Sequence, residues 1–125
     1  MEVSKKGVSK RIKRVSYMDD VSYVTEETVF DGVKLNNPNL YKRLQKDTPE
    51  AALARILLSW RLFKGRSQRV EAELTGCGRS TYQTFEEAKP GVNPGFLTLW
   101  RLAKSYEVSF FEFVAGPWPR YQIHN

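Results

Sequence analysis

Two glycines in the stretch SQRVEAELTGCGRSTYQTFEEAK, residues 67–89, restrict the local fold more than any other feature of the chain. The run before the turn TGCG places Val70, Leu74 and Cys77 at helical spacing, and the run after it places Tyr82 and Phe85 three residues apart. Glycine ends a helix because it adopts left-handed backbone conformations without strain. The stretch therefore predicts two short helices joined by a tight turn, with Val70 and Leu74 on the apolar face of the first.

The second run is polar where a helix that packs in a core would carry leucine. If Tyr82 and Phe85 face the protein, the remaining side chains of this helix face outward. Two interpretations are open: an ordinary solvated helix face, or a surface that contacts a partner. The outward residues are Arg79, Ser80, Gln83 and Thr84.

Length and charge narrow the class of protein. The 125 residues suffice for one domain with a modest core, and 20 Lys and Arg against 14 Asp and Glu give a net charge of +6. This basic balance favours an anionic partner such as nucleic acid. No apolar run approaches the ~20 residues that span a bilayer, and no secretory signal is legible, so we expect a cytoplasmic protein without membrane contact.

The sequence offers no set of catalytic or metal-binding side chains. One cysteine cannot form an internal disulfide, and the single histidine, His124, lies beside the C-terminus, which leaves no Ser/His/Asp or Cys/His arrangement. No Cys/His cluster has metal-ligand spacing. We therefore expect a protein that is not an enzyme and that needs neither a metal nor another cofactor.

The chain divides into four regions that differ in composition and periodicity. Residues 1–16 form a Lys/Arg-rich arm without periodicity, and residues 17–48 form an extension. In this extension YMDDVSYVTEETVFDGVKL, residues 17–35, is rich in Val, Tyr, Thr and Phe, which predicts short strands resembling a β-hairpin, followed by a short helix in NPNLYKRLQK. Residues 49–116 read as five helices and residues 117–125 as a C-terminal tail, so the fold is expected to be mainly α.

Start and stop signals set the five helices. Pro49 after Thr48 opens the first and Gly65 ends it, while Ser67 caps the second, which runs to about Thr75. The third is expected over about 79–88 and the fourth over about 96–106. Ser109 caps the fifth, in VSFFEFVAG. The aromatic residues of the fourth and fifth helices are expected in the core; for the run SFFEF, which has more aromatic residues than one helix face can bury, a dimer interface is the alternative.

Several residues of the second and third helices, and of the region after them, form an ordered series of sequence landmarks. Ser67-Gln68, Ala72, Gly76, RSTYQT and Phe85-Glu86 occur without a gap, and Pro94, Thr98-Leu99, Ala103-Lys104 and Val108-Ser109 follow downstream. In this order and spacing the chain, over about 51–116, resembles the helix-turn-helix domain of the Cro and phage-repressor (XRE) family. Glu107 departs from the pattern, since it stands where glycine usually ends the fourth helix; a left-handed cap is expected to be lost or strained there.

The resemblance implies a repressor that binds an operator in double-stranded DNA as a homodimer, with the helix over about 79–88 in the major groove. The outward side chains of that helix then contact bases, with arginine suited to guanine and glutamine to adenine. The resemblance also implies a structural ion pair between Arg61 and Glu86. Phosphate contacts are expected from Ser67, Gln68, Thr81, Lys89 and Gly95.

Other interpretations remain open at this point. The same fold serves an antitoxin or regulatory partner that binds another protein, and Glu87 together with the strand-like VSYVTEETVF motivates this alternative. RNA binding through the basic arm is a third class, although no aromatic stacking platform is legible. The arm itself is either a solubilising tail or a further contact to DNA.

Overall fold

The computed structural model describes residues 25–118, and this part of the chain is mainly helical, with no strand between its ends. None of the helices in this range is long and apolar enough to cross a bilayer. The arm, the residues 17–24 of the expected strands and most of the C-terminal tail lie outside the described range. The helices are α1 (Glu26–Asn36), α2 (Pro38–Leu44), α3 (Pro49–Lys64), α4 (Gln68–Thr75), α5 (Arg79–Glu86), α6 (Phe96–Ser105) and α7 (Phe110–Ala115).

Helices α3 and α4 begin and end at the residues that the sequence marks. The Thr48 side chain accepts a hydrogen bond from Ala51 N, and Ser67 accepts one from Val70 N, so each cap satisfies a backbone donor that has no partner in its own helix. Gly65 and Gly76 end these helices with φ of 72° and 78°, a left-handed conformation that strains residues with a Cβ atom. The two short helices α4 and α5 are therefore joined by the tight turn that the two glycines predict.

One core cluster lies between α3, α4, α5, α6 and α7. Trp60 of α3 packs on Tyr106 and Phe113, with ring centroids 5.2 and 6.1 Å apart, and its indole Nε1 donates to the Phe113 carbonyl at 2.7 Å. Tyr82 of α5 is fully buried in the same cluster. This packing joins the two central helices to the C-terminal pair. The other buried members are Leu57, Ala72, Phe85, Leu102 and Ala103.

A second cluster joins the N-terminal extension to the rest of the domain. Leu44 of α2 is fully buried against Leu58 and Ala88, and Phe30 of α1 packs on this cluster from the outside. Arg43, beside Leu44, donates from Nε to the carbonyl of Glu87 at 2.7 Å. Helix α2 therefore packs against the residues directly after α5, and α1 packs on α2 and α3.

The strands predicted within residues 17–35 are wrong for the described part of that segment, which is helix α1. Local capping outweighs β-propensity here: Thr25 and Thr28 exchange side-chain to backbone hydrogen bonds in a capping box. Phe30 and Val33 lie three residues apart and both pack on the second cluster, which is helical spacing. The Asp31-Gly32 pair, which looks like a turn in the sequence, lies inside the helix.

The expected apolar face of α4 is also wrong. Val70 and Leu74 are 36% and 41% exposed, whereas Glu71 and Thr75 are buried. The reason is a polar partner set: Glu71 accepts a hydrogen bond from the Tyr106 hydroxyl at 2.6 Å, and the Thr75 hydroxyl donates to the Ala72 carbonyl. Because these groups find partners inside the protein, α4 turns them inward and leaves its larger aliphatic side chains near the surface.

Two residues other than glycine have positive φ, within the described range. Glu107 keeps the left-handed cap after α6 with φ of 63°, so the cap is retained at a non-glycine residue and costs on the order of 1 kcal/mol. Ala88 follows α5 with φ of 56° and packs its methyl group in the Leu44 cluster. Each of these helices is therefore followed by a left-handed residue that is not glycine, although glycine adopts this conformation with the least strain.

The buried position of Leu44 predicts that the extension is an integral part of the domain. Leu44→Ala should lower the free energy of unfolding by about 2–5 kcal/mol, because it leaves a cavity between α2 and α3. Leu35→Ala is the matched control, since Leu35 is 82% exposed, and should change the free energy by less than about 0.5 kcal/mol. Chemical denaturation of both variants measures the difference. Equal stabilities would contradict the packing of α2 on α3.

Candidate nucleic-acid interface

Helix α5 presents a buried aromatic face and an exposed first turn. Tyr82 is 0% and Phe85 8% exposed, with their rings 6.0 Å apart and edge to face. Arg79, Ser80 and Thr81 are all exposed. Since a side chain at one position of a helix shares a face with those three and four residues on, the two aromatic rings fix which way the polar side chains point.

The remaining predicted base contacts, Gln83 and Thr84, are half-buried. Gln83 donates from Nε2 to the Gln68 side-chain oxygen at 3.2 Å, and the Thr84 hydroxyl donates to the Thr81 carbonyl at 2.6 Å. The structure thus brings together a predicted base contact on α5 and a predicted phosphate contact on α4. An amide group has two donor hydrogens and one acceptor oxygen, so Gln83 keeps one hydrogen and its oxygen for a further partner.

An ion pair between α3 and α5 lies behind this surface. Arg61 donates from Nε and Nη2 to the two oxygens of Glu86, at 2.6 and 2.8 Å. Its Nη1 donates to the Arg66 carbonyl, and Gln68 Nε2 donates to the same Glu86 carboxylate at 3.0 Å. Burial lowers the pKa of Arg61, but the hydrogen bonds and charge of Glu86 outweigh it and the pKa is raised. The guanidinium therefore stays charged and fixes the angle between three helices.

The N-termini of α5 and α6 differ from those of the other helices between residues 25 and 118. Side chains cap α1, α2, α3, α4 and α7, whereas Gly78 and Gly95 begin α5 and α6 without a side-chain hydrogen bond. The first N–H groups of these two helices, with the positive end of the helix dipole, are open to an external acceptor. Of the predicted phosphate contacts, Gly95 lies at such an open end, while the Ser67 oxygen already accepts from Val70 N.

The acid beside the candidate surface has a cationic partner. Lys89 Nζ lies 3.1 Å from Glu87 Oε1, with 57% and 39% of the two side chains exposed. An exposed pair of this kind contributes between about 0 and 1 kcal/mol, so Lys89 is free to exchange Glu87 for another anion at little cost. The pair reduces the repulsion that Glu87 alone would exert on a phosphate.

Several residues that shape the site are not recognisable in the sequence. Arg66 donates to Glu71 at 3.2 Å and to the Ser105 hydroxyl at 2.9 Å, and it stacks on Tyr106 with its guanidinium carbon 3.8 Å from the ring centroid. Arg43 reaches the end of α5 from α2. No spacing within α4 marks Glu71 as a buried acid.

Comparison with known proteins adds no assignment. No protein-family model, curated protein or solved structure matches this chain. What α5 binds is therefore inferred from its own side chains and from the contacts that orient them.

Removal of Arg61 should destabilise the domain strongly. Arg61→Ala leaves the carboxylate of Glu86, 2% exposed, without its charged partner, and should lower the free energy of unfolding by about 3–5 kcal/mol. Lys64→Ala, one turn further along α3 at an exposed position, should cost less than about 1 kcal/mol. Denaturant titrations compare the two. The double variant Arg61→Met, Glu86→Leu should recover much of the loss, because no buried charge remains; a double variant as unstable as the single one would contradict this account.

Two buried tyrosines should make the protein sensitive to alkaline pH. Burial raises the pKa of Tyr82, and the charge of Glu86 raises it further; burial and the hydrogen bond to Glu71 raise the pKa of Tyr106. In the unfolded chain both ionise near pH ~10, so above that pH the unfolded state binds fewer protons than the folded state. Stability should be constant up to about pH 9 and then fall with a slope that approaches about 2.7 kcal/mol per pH unit near pH 11. Unfolding free energies from pH 7 to 11 measure the slope.

Phenylalanine variants separate the two groups. Tyr82→Phe and Tyr106→Phe should each halve the alkaline slope. At pH 7 their effects should differ: the buried Tyr82 hydroxyl makes no hydrogen bond of good geometry, whereas the Tyr106 hydroxyl donates to Glu71. Tyr106→Phe should therefore cost about 1.5–3 kcal/mol, and Tyr82→Phe less than about 1. An unchanged slope in both variants would overturn the assignment.

Proposed function

We propose that the chain is a sequence-specific DNA-binding transcriptional regulator, a repressor that acts as a homodimer. Helices α3–α7, within residues 49–116, form its helix-turn-helix domain of the Cro and phage-repressor type, and α5 is the recognition helix. Two copies place their α5 helices in successive major grooves, about 34 Å apart along the duplex. The observation that carries the proposal is the geometry of α5, in which Tyr82 and Phe85 face the core while Arg79, Ser80 and Thr81 are exposed at an open helix N-terminus.

The chemistry of the α5 side chains suits base edges. The Arg79 guanidinium has the two parallel donors that match guanine O6 and N7, and Gln83 keeps a donor and an acceptor that match adenine N6 and N7. Ser80 either donates or accepts, and the Thr84 methyl group suits the thymine methyl. The bond from Gln83 to Gln68 holds the amide in place and therefore reduces the entropy lost on binding.

Phosphate contacts would surround the groove. The N-terminus of α4, with Ser67 and Gln68, lies on one side of α5; the open N-terminus of α6 at Gly95, and Lys89, lie after its other end. Thr81 on the exposed first turn completes the set. Backbone N–H groups at helix N-termini bind phosphate oxygens with help from the helix dipole, and such contacts set the register without reading sequence.

One of the two features that favour the alternative function, binding of another protein in the manner of an antitoxin, is absent from the described residues. The strand edge expected before residue 36 is helix α1 from Glu26 onward. The other feature is Glu87. Its side chain is paired with Lys89, and its carbonyl accepts a hydrogen bond from Arg43. A pull-down that recovers a stoichiometric protein without DNA would favour this alternative.

Two variants test the DNA proposal on duplexes selected from a random pool. Arg79→Ala should lose about 1–3 kcal/mol of discrimination at one base pair, because the bidentate contact is gone. Lys89→Ala should weaken all duplexes evenly and reduce the slope of log affinity against log salt by about one unit. Fluorescence anisotropy across a salt series, with every single-base variant of the selected site, measures both effects.

Lys34→Ala is the control, since it removes the same charge from an exposed position of α1. It should leave base discrimination unchanged. The proposal fails if no duplex is selected, or if Arg79→Ala and Lys89→Ala both bind the selected duplex like the parent protein.

A further inference from the structure

Helices α6 and α7 expose several large apolar side chains, three of which form a cluster of aromatic rings. Phe96 and Trp100 of α6 contact each other and Phe110 of α7, with ring centroids 4.9–5.9 Å apart. Phe96, Leu97 and Trp100 are 60%, 65% and 41% exposed, and Phe111, next to Phe110, is 87% exposed. We call these five residues the aromatic patch. Monomeric proteins rarely expose so many large apolar side chains together, so we expect a binding partner to cover this surface.

The size of the patch fits a protein interface. With about 150–250 Å² for each aromatic side chain, the exposed fractions amount to roughly 500 Å² of apolar area per chain. A stable interface buries about 800 Å² per partner, of which about 65% is apolar in homodimers, or close to 520 Å². The patch alone therefore supplies the apolar part of a homodimer interface of ordinary size.

Two segments outside the described residues, the C-terminal tail and the basic arm, match the patch poorly. The seven residues after Trp118 contain only Tyr121 and Ile123 as large apolar side chains. The arm, residues 1–16, carries six Lys and Arg against one acid and contains no aromatic side chain. A second copy offers the same apolar area as the patch itself.

We propose that the aromatic patch is the self-association surface, through which two copies of this chain pack about a two-fold axis. The inference rests on the proposed function only for the role of the dimer on DNA. In a two-fold interface the same patch serves both copies, which suits a flat cluster of rings that is not shaped as a pocket. Lys104 lies over the Trp100 ring at 4.7 Å, so it would shield the rim of the interface.

The position of the patch agrees with binding to one face of a duplex. It begins at Phe96, directly after Gly95, whose helix N-terminus is a proposed phosphate contact. An axis through the patch would therefore lie beside the proposed DNA surface, with one α5 helix on each side of it. Two recognition helices would then meet the same duplex, as an operator with two half-sites requires.

The experiment compares Leu97→Glu with Leu35→Glu in the full chain. Both leucines are largely exposed, so neither change should disturb the fold, which circular dichroism and thermal melting verify. At a two-fold interface, Leu97→Glu replaces an apolar side chain with a buried carboxylate in each copy and should raise the dimer dissociation constant by at least roughly 100-fold. Leu35→Glu should leave the constant within about twofold of the parent. Phe111→Ser is a second, uncharged test, and sedimentation equilibrium measures all four proteins.

The outcomes separate this inference from the DNA proposal. Phe111→Ser, which lies outside the proposed DNA surface, should bind a single half-site duplex like the parent protein and lose at least about tenfold on the two-site duplex. If Leu97→Glu disrupts the dimer but the parent protein binds no duplex, the DNA function is refuted and the interface is supported. A parent protein that is monomeric at all concentrations, a Leu97→Glu variant that remains dimeric, or a dimer that forms only after residues 119–125 are removed would each overturn the inference.

Discussion

The ion pair between Arg61 and Glu86 determines how the central helices are arranged. Its bidentate geometry fixes the crossing of α3 and α5, and Gln68 ties α4 to the same carboxylate. A buried pair of this kind contributes little net stability, because desolvation offsets the attraction, but it disfavours other helix angles that would leave a charge unpaired. Arg61 also binds the carbonyl of Arg66, and Arg66 in turn binds Ser105 on α6. A connected set of polar contacts thus runs from α5 to α6 behind the proposed DNA surface.

Local signals predict most of the helices but not which faces they bury. Thr48, Pro49 and Gly65 bound α3 because caps and left-handed stops act on adjacent residues. The buried face of α4 depends instead on Glu71 meeting Tyr106, 35 residues away, and no spacing within α4 reveals that partner. In α1 the β-branched residues favour strands, but the local capping box of Thr25 and Thr28, together with packing on the Leu44 cluster, selects a helix.

In the candidate site, too, some features follow from local spacing and others depend on the fold. The spacing of Tyr82 and Phe85 predicts that Arg79 and Ser80 face outward, since helical periodicity alone decides it. The bond between Gln83 and Gln68 joins residues from two helices and depends on the α4–α5 angle, so it follows only from the fold. Likewise Phe96 and Trp100 look like core residues in the sequence, and only the packing of α6 shows that they are exposed.

Helix α5 is held along its second half and open at its first turn. Gln68 binds Gln83, Arg61 binds Glu86, and Arg43 from the N-terminal extension binds the carbonyl of Glu87. The first turn has neither a side-chain cap nor a buried residue. A short helix fixed in this way keeps its orientation when a ligand meets its N-terminal side chains, so little conformational entropy is lost on binding. Helix α2 of the N-terminal extension therefore helps to orient α5, as α3 and α4 do.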